Sequence, residues 1–193
     1  MNSKTEPQPS IKTDRLILRP FRQSDAADVQ RLAGDPAVAD TTLHIPHPYP
    51  DGAAESWINT HQERWESGLG VICAITLRST GELIGAINVL SVSKQNSHGE
   101  MGYWIGTPYW NQGYCTEAAR ALIRFSFDTL GLHRVFAHHL GRNPASGRVM
   151  AKAGMRYEGT LREHTRKNDV FEDLPVYGIL ASEFEEVQLF PQN

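Results

Sequence analysis

A strand, a glycine turn and a helix follow one another between residues 100 and 130, and this succession constrains the fold more than any other feature. Residues 100–105 have the pattern of a strand, and Gly113 interrupts the polar segment that follows. Apolar side chains then recur at helical spacing, at Ala119, Leu122, Ile123 and Leu130. Because residues 134–140 form another strand pattern, the sequence predicts a crossover in which a helix joins two strands.

The rest of the chain predicts an α/β (α+β) domain with a mostly antiparallel twisted sheet. Helical spacing predicts helices over residues 24–33, 54–65 and 143–154, which with the crossover helix makes about four. Further strands are predicted at residues 15–19, 71–77, 82–90, 156–162 and 171–180. The second helix carries one stripe that we interpret as core, formed by Ala54, Trp57, Ile58, His61 and Trp65.

The composition argues against several classes of function. A net charge of −3 over 193 residues gives no basic surface for nucleic acid, and the apolar runs are strand-sized, which argues against a membrane span. Cys73 and Cys115 lie far apart and lack the spacing of metal ligands or of a disulfide framework. We therefore expect a cytoplasmic protein without a metal.

The two ends of the chain differ from its middle. Residues 1–10 are polar and contain proline, which predicts a disordered tail rather than a signal peptide. Residues 187–193 are predicted to form a C-terminal tail. Residues 11–186 are thus expected to form a single domain, since the chain contains no repeat or linker that would divide it.

The glycine turn has the properties of an anion site. The first N–H groups of a helix have no acceptor within the helix, and the helix dipole adds a partial positive charge. Gly113 allows close approach of a ligand, and Cys115 is small enough not to block it. Phosphate is the natural guest. Because neither the dinucleotide fingerprint nor the P-loop lysine is present, this feature alone leaves a tight turn without ligand as the alternative.

Residues 110–118, WNQGYCTEA, resemble the pyrophosphate-binding turn of the GNAT superfamily of N-acetyltransferases. The pattern W-x-x-G-x-x-TEA resembles the branch that acetylates the N-termini of ribosomal proteins (RimJ/RimL-like). Other segments match that branch in order and spacing, among them TDRLILRP at 13–20, GELIG at 81–85, GYWI at 102–105 and NPAS at 143–146. Trp110 and Cys115 depart from the superfamily pattern Q/R-x-x-G-x-G/A at its two ends.

This resemblance implies a GNAT fold, with a sheet splayed between its fourth and fifth strands, and acetyl-CoA as cosubstrate. The residues that it implies for pyrophosphate are Gln112, Gly113, Tyr114, Cys115 and Thr116. Those implied for the pantetheine arm are Tyr103, Trp104 and Ile105 on the splayed strand. A homodimer is implied by the family likeness alone.

The same resemblance gives roles to two residues at the start of the last helix. It implies that Asn143 hydrogen-bonds pantetheine or steers the acceptor, and that Ser146 is a general acid for the departing thiolate. From the residues themselves, Ser146 shares the inward helix face with Val149, Met150 and Ala153, so its hydroxyl needs a partner or a task. A serine that bonds the local backbone is the alternative.

Acetyl transfer requires a neutral amine, whereas an α-amine has a pKa of about 8 and a lysine about 10.4. His138 could take the proton, Glu100 is the competing base, and Glu163 is a third candidate. The branch places a catalytic glutamate after the last helix, but Thr165 occupies that position here. His44 and Tyr49, near His47, are predicted to line the acceptor pocket; solvated loop histidines are the alternative for His44 and His47.

Two classes of function follow from these residues. The first is an enzyme that transfers acetyl directly to a primary amine, with a protein N-terminal α-amine as the favoured acceptor and a small-molecule amine or an amino-acid-like toxin as alternatives. The second is an acyl-CoA sensor without turnover, which would not need Asn143 and Ser146. A nucleophilic Cys115 is a further alternative, because a thiol at a helix N-terminus can be activated.

Overall fold

The computed structural model describes residues 6–184, which build an eight-stranded sheet with helices packed on both faces. The strands are β1 (Ile11–Lys12), β2 (Leu16–Arg19), β3 (Val71–Leu77), β4 (Leu83–Ser93), β5 (His98–Ile105), β6 (Arg134–His138), β7 (Arg156–Lys167) and β8 (Val170–Leu180). The α-helices are α1 (Ala26–Ala33), α2 (Pro36–Thr41), α3 (Ala53–Asn59), α4 (His61–Glu66), α5 (Tyr114–Asp128) and α6 (Pro144–Lys152).

The order of the strands confirms the predicted fold class. It runs β1-β2-β3-β4-β5-β6-β8-β7, and neighbours are antiparallel except for β5 and β6. The parallel pair is the one joined by α5, as the crossover between residues 100 and 140 predicts. The splay predicted between the fourth and fifth strands is also confirmed; these strands are β5 and β6, because β1 was not predicted. The β5–β6 ladder ends at the pair Glu100 and Phe136, while β5 continues to Ile105.

Alternation along the central strands explains why both faces are covered. On β3, Cys73 and Ile75 point toward the cluster beneath α5 and α6, whereas Ala74 belongs to the cluster beneath α1 and α3. The stripe predicted on the second helix is core as expected: Ala54, Ile58 and His61 are buried. The split between β5 and β6 therefore lies in a sheet that helices cover on both faces.

The helical segments differ from the prediction at two points. A helix that was not predicted, α2, begins at Pro36, because Asp35 accepts a hydrogen bond from Ala37 N at 2.8 Å and a proline is tolerated in a first turn. The predicted helix 54–65 is divided into α3 and α4 at Thr60, whose hydroxyl donates to the carbonyl of Trp57 at 2.8 Å. The described residues thus contain more α-helices than the predicted number of about four.

The predicted N-terminal tail, residues 1–10, is too long. Gln8 is buried, and its amide donates to the carbonyl of Ile72 on β3 at 2.9 Å. The indole of Trp65 donates to the carbonyl of Glu6 at 2.8 Å, so this segment is held at both Glu6 and Gln8. Polar composition did not reveal this because the contacts use backbone carbonyls. Residues 1–5 and the predicted C-terminal tail, 187–193, lie outside the described residues.

Candidate active site

The split between β5 and β6 opens into a cavity of about 920 Å³. Its lining includes the residues that the sequence analysis assigned to the site, except Gln112, the third candidate base Glu163 and the loop histidine His47. The assigned residues in the lining are His44, Tyr49, Glu100, Tyr103, Trp104, Ile105, Gly113, Tyr114, Cys115, Thr116, His138, Asn143 and Ser146. Residues of β5, β6, α5 and α6 and of loops far apart in sequence therefore meet around one space.

The glycine turn forms one end of this cavity. Gly113 has φ +79°, a left-handed conformation that favours glycine, and α5 begins at the next residue. The first amides of α5 have no acceptor within the helix, and Gly113 has no side chain that could cap them. Backbone donors and the positive end of a 15-residue helix thus fit a pyrophosphate group.

Arg15 and Glu117 hold this turn in place, a role that the sequence analysis did not assign. The Arg15 guanidinium donates to the Glu117 carboxylate at 2.6 Å and to the carbonyl of Gln112 at 2.9 Å, and Thr13 also donates to Glu117 at 2.6 Å. Burial opposes ionisation, but the hydrogen bonds from Thr13 and Arg15 keep the pKa of Glu117 below its usual range. The TDR and TEA segments of the sequence are therefore one structural unit.

Cys115 lacks the chemistry of an activated nucleophile. Burial raises the pKa of its thiol to about 12, so the thiol stays protonated at neutral pH. The side chain packs beside Tyr114 against the main hydrophobic cluster. Its small size, rather than its sulfur, is what the turn uses.

The two leading candidates for the base are partners. The Nδ1 atom of His138 lies 3.2 Å from Oε1 of Glu100, at the point where β5 and β6 part. Burial lowers the pKa of His138; the neighbouring histidines His44, His164 and His139 act in the same direction, against Glu100. The imidazole is accordingly neutral at physiological pH, with one nitrogen held by a carboxylate.

The third candidate base lies elsewhere. Among the described residues that line the cavity, neither Glu163 nor Thr165 is found. Both belong to β7, where Glu163 is exposed and has φ +47° at an irregular point of the β7–β8 pairing. The structure thus brings Glu100 and His138 together and leaves Glu163 apart.

The start of α6 contributes Ser146 and Asn143. The Ser146 hydroxyl lies 3.0 Å from the hydroxyl of Tyr103 on β5. Asn143 caps α6 by accepting from Ser146 N at 3.3 Å, and its amide donates to the carbonyl of Thr41 at 3.0 Å. The Asn143 side chain therefore connects α6 to the end of α2, a contact that the family resemblance did not imply.

The acceptor end of the cavity is mainly apolar. Tyr49, Trp57 and Trp104 pack against the cluster formed by α1 and α3, and His44 is exposed at the edge. His47 lies outside the lining, with its Nδ1 3.2 Å from the carbonyl of Gly34. An amine that enters here would meet the His138 and Glu100 pair at the split.

Comparison with known proteins agrees with this geometry. The profile described as "Acetyltransferase (GNAT) domain" matches residues 15–156, well over half of the chain. The chain belongs to the GNAT family of acetyltransferases. As an acetyl-CoA-dependent N-acetyltransferase, it retains the backbone donors and the split that the cosubstrate needs. The chain is therefore an enzyme and not an acyl-CoA sensor without turnover.

Two relatives and one solved structure illustrate the GNAT membership. The chain is 30% identical over 172 residues to the uncharacterised N-acetyltransferase YoaA of Bacillus subtilis, covering 89% of this chain and 97% of YoaA. It is 28% identical over 170 residues to the ribosomal protein uS5-alanine N-acetyltransferase of Escherichia coli, covering 82% and 84%. The Mycobacterium smegmatis RimJ structure, in complex with CoA-disulfide, shares its fold with TM-score 0.80 at 21% identity, covering 94% and 92%.

Two further properties of the described residues bear on membranes and metals. Within residues 6–184, each helix is too short or too polar to cross a bilayer. The same residues contain no group of three or more histidine, cysteine or acidic side chains arranged to hold a metal ion.

Proposed function

We propose that this GNAT enzyme acetylates a protein N-terminal α-amine by direct attack on the thioester of acetyl-CoA. The observation that carries the proposal is the pairing of His138 with Glu100 at the split, in a cavity that Ser146 also lines. A proton acceptor and a hydrogen-bond donor thus face the same space from different elements. Direct transfer needs both, one for the amine and one for the sulfur.

The His138 and Glu100 pair deals with the proton of the amine. Because Glu100 Oε1 lies 3.2 Å from Nδ1 of His138, we assign the role of proton acceptor to the other ring nitrogen, Nε2. As the amine nitrogen forms its bond to the acetyl carbon, its proton passes to His138. Because the imidazole is neutral at physiological pH, it is ready to accept this proton without prior deprotonation.

The free edge of β5 and the Ser146 hydroxyl stabilise the negative charge that develops on acetyl-CoA. The edge of β5 beyond Glu100 is free of the β6 ladder, and its N–H groups can donate to the carbonyl oxygen as that oxygen gains charge. The carbon–sulfur bond breaks as the sulfur leaves with its electron pair. Ser146 donates a hydrogen bond to this sulfur, which needs no full proton because a thiol has a pKa of only about 8.5.

Charge around the cavity favours a monocationic acceptor over a polyamine. Among the described residues that line it, Glu100 is the one carboxylate, whereas His44, His138, His139, Arg148 and Lys152 are neutral or basic. A polyamine carries several positive charges and would need several carboxylates. A peptide α-amine carries at most one charge, and the uS5-alanine acetyltransferase at 28% identity acts on such an amine.

The acceptor can be tested by thiol release from acetyl-CoA with a matched panel. It contains a peptide with a free N-terminal alanine, the same peptide with a blocked N-terminus and an internal lysine, and spermidine. We expect release with the free N-terminus only. Release with spermidine alone would contradict the proposed acceptor, and tight acetyl-CoA binding without release on any amine would contradict the proposed reaction.

A further inference from the structure

The hydroxyl of Tyr103 connects the two walls of the cavity. Tyr103 is on β5, and Ser146 is in the first turn of α6, 43 residues away. The phenol oxygen lies 3.0 Å from Ser146 Oγ and 2.9 Å from the carbonyl oxygen of Ser146. Both distances are those of good hydrogen bonds, so one hydroxyl bridges the split that separates β5 from the elements after β6.

This contact answers the question of why Ser146 needs a hydroxyl. A serine near a helix start commonly bonds its local backbone. Here the capping contact is made by Asn143 Oδ1 to Ser146 N, and the hydroxyl of Ser146 is directed at Tyr103 instead. The orientation of the Ser146 hydroxyl therefore depends on a residue from another element.

The phenol is suited to act as a donor. Burial, followed by the proximity of Cys115, raises the pKa of Tyr103 above its ordinary value, so its proton stays on the oxygen at physiological pH. The carbonyl oxygen of Ser146 can only accept, so the single phenol proton is donated to it, and the Ser146 hydroxyl donates to the phenol oxygen. These two bonds fix the position of Ser146 Oγ in the split, and rotation of the serine hydroxyl would turn its proton to the sulfur of acetyl-CoA.

We propose that Tyr103 is a positioning residue that holds the Ser146 hydroxyl within reach of the departing sulfur. The inference rests on the proposed function, because it assigns Ser146 to the sulfur. No bond to Tyr103 forms or breaks, and its proton remains on the phenol throughout. Tyr103 acts on the reaction only through Ser146.

The variant Tyr103→Phe removes the hydroxyl and keeps the ring. We expect kcat to fall about tenfold, the effect of losing one hydrogen bond, with acetyl-CoA affinity unchanged by calorimetry. Tyr157→Phe is the matched control, because Tyr157 is exposed on β7 and its hydroxyl bonds Thr160 Oγ1 at 2.8 Å. This control should keep full activity, and thermal unfolding checks that both variants are folded.

A double variant separates orientation from general damage. If Tyr103 acts through Ser146, Tyr103→Phe should have no further effect on kcat in a Ser146→Ala background. A second tenfold loss there, or a Tyr103→Phe enzyme at full rate, would overturn the inference. Failure of the proposed function would look different, since the unaltered enzyme would then release no thiol with any N-terminal peptide.

Discussion

His138 illustrates how much a single residue depends on its neighbours. An imidazole on a strand is most often structural, yet this one lies at the only parallel junction in the described sheet with a carboxylate 3.2 Å from its Nδ1. Burial lowers its pKa, and Glu100 limits that effect. The pair thus provides both the neutral form and the orientation that a base requires.

The pH profile of kcat/KM tests this pair. His138 should add an acidic limb below about pH 6.5, separate from the titration of the acceptor α-amine near pH 8, because the lowered pKa keeps His138 unprotonated above pH 6.5. Glu100→Gln removes the charge that raises the pKa, so the acidic limb should move to lower pH while the rate falls. His138→Gln should reduce kcat about a hundredfold or more.

The exposed His133→Gln is the control for both variants and should leave the profile unchanged. If Glu100 were itself the base, Glu100→Gln would lose activity at every pH while His138→Gln retained it. That result would exchange the roles of the two residues.

Gly113 can be tested against a glycine with the same backbone. Gly113→Trp should abolish acetyl-CoA binding measured by calorimetry, because a side chain at φ +79° would strain the turn and cover its amides. Gly131→Trp is matched, since Gly131 has φ +64° at the far end of α5 with nothing within 4 Å of an added Cβ. Unchanged affinity in Gly113→Trp would remove the phosphate turn from the site.

Helix α2 lines the acceptor end of the cavity, and side chains of other elements hold it in place from outside the cavity. Arg142 donates to Asp40 on α2 at 2.6 Å and to Glu172 on β8 at 2.5 Å. Lys167 at the end of β7 donates to the carbonyls of Ala39 and Thr42. The loop before α6 and the β7–β8 hairpin therefore fix the segment that leads to His44.

Removal of this fastening should affect the acceptor and not the donor. We expect Arg142→Ala to raise the KM for the peptide acceptor by up to about tenfold, the effect of losing charge-assisted hydrogen bonds, while acetyl-CoA affinity stays constant. Arg156→Ala breaks a comparable ion pair with Glu183 away from the cavity and should change neither value. An equal loss of affinity for both substrates in Arg142→Ala would indicate general unfolding.

Local patterns predicted elements well where one residue type decides the structure. Alternation gave the strands, and Gly113 gave the turn before α5. Contacts between distant segments were not predictable: Pro36 reads equally as an end or a beginning, and nothing adjacent in sequence links Arg142 to Asp40 or Tyr103 to Ser146. The roles of Arg15 and Glu117 could have been found, since both lie in the matched TDR and TEA segments.

In the core of the described residues, His61 is a buried titratable side chain without a hydrogen-bond partner. His61 is 7% exposed and packs edge-on against Trp57, with ring centroids 4.4 Å apart. Within residues 6–184, neither of its ring nitrogens has a hydrogen-bond partner. Burial lowers the pKa of His61 from 6.5 to about 4, so the folded protein binds this proton much more weakly than the unfolded chain does.

The stability of the fold should therefore depend on pH through His61. The unfolded chain takes up the proton below pH 6.5 and the folded protein only near pH 4, so the free energy of unfolding should fall across that interval, by up to about 3 kcal/mol. His61→Phe should flatten this fall in denaturant titrations at several pH values. His133→Phe should preserve it, and a His61→Phe protein with the original pH dependence would contradict the assignment.

Three residue pairs join β5 to β6 before the strands part. Beyond these pairs, β5 and β6 are no longer paired. β6 leads within five residues to Asn143, whose amide donates to the carbonyl of Thr41 on the acceptor side of the cavity. Acetyl-CoA bound in the split would hydrogen-bond the edge of β5 that β6 leaves free. It would thereby stabilise the acceptor side of the cavity. We therefore expect ordered binding, in which acetyl-CoA binds first and completes the site to which the amine binds second.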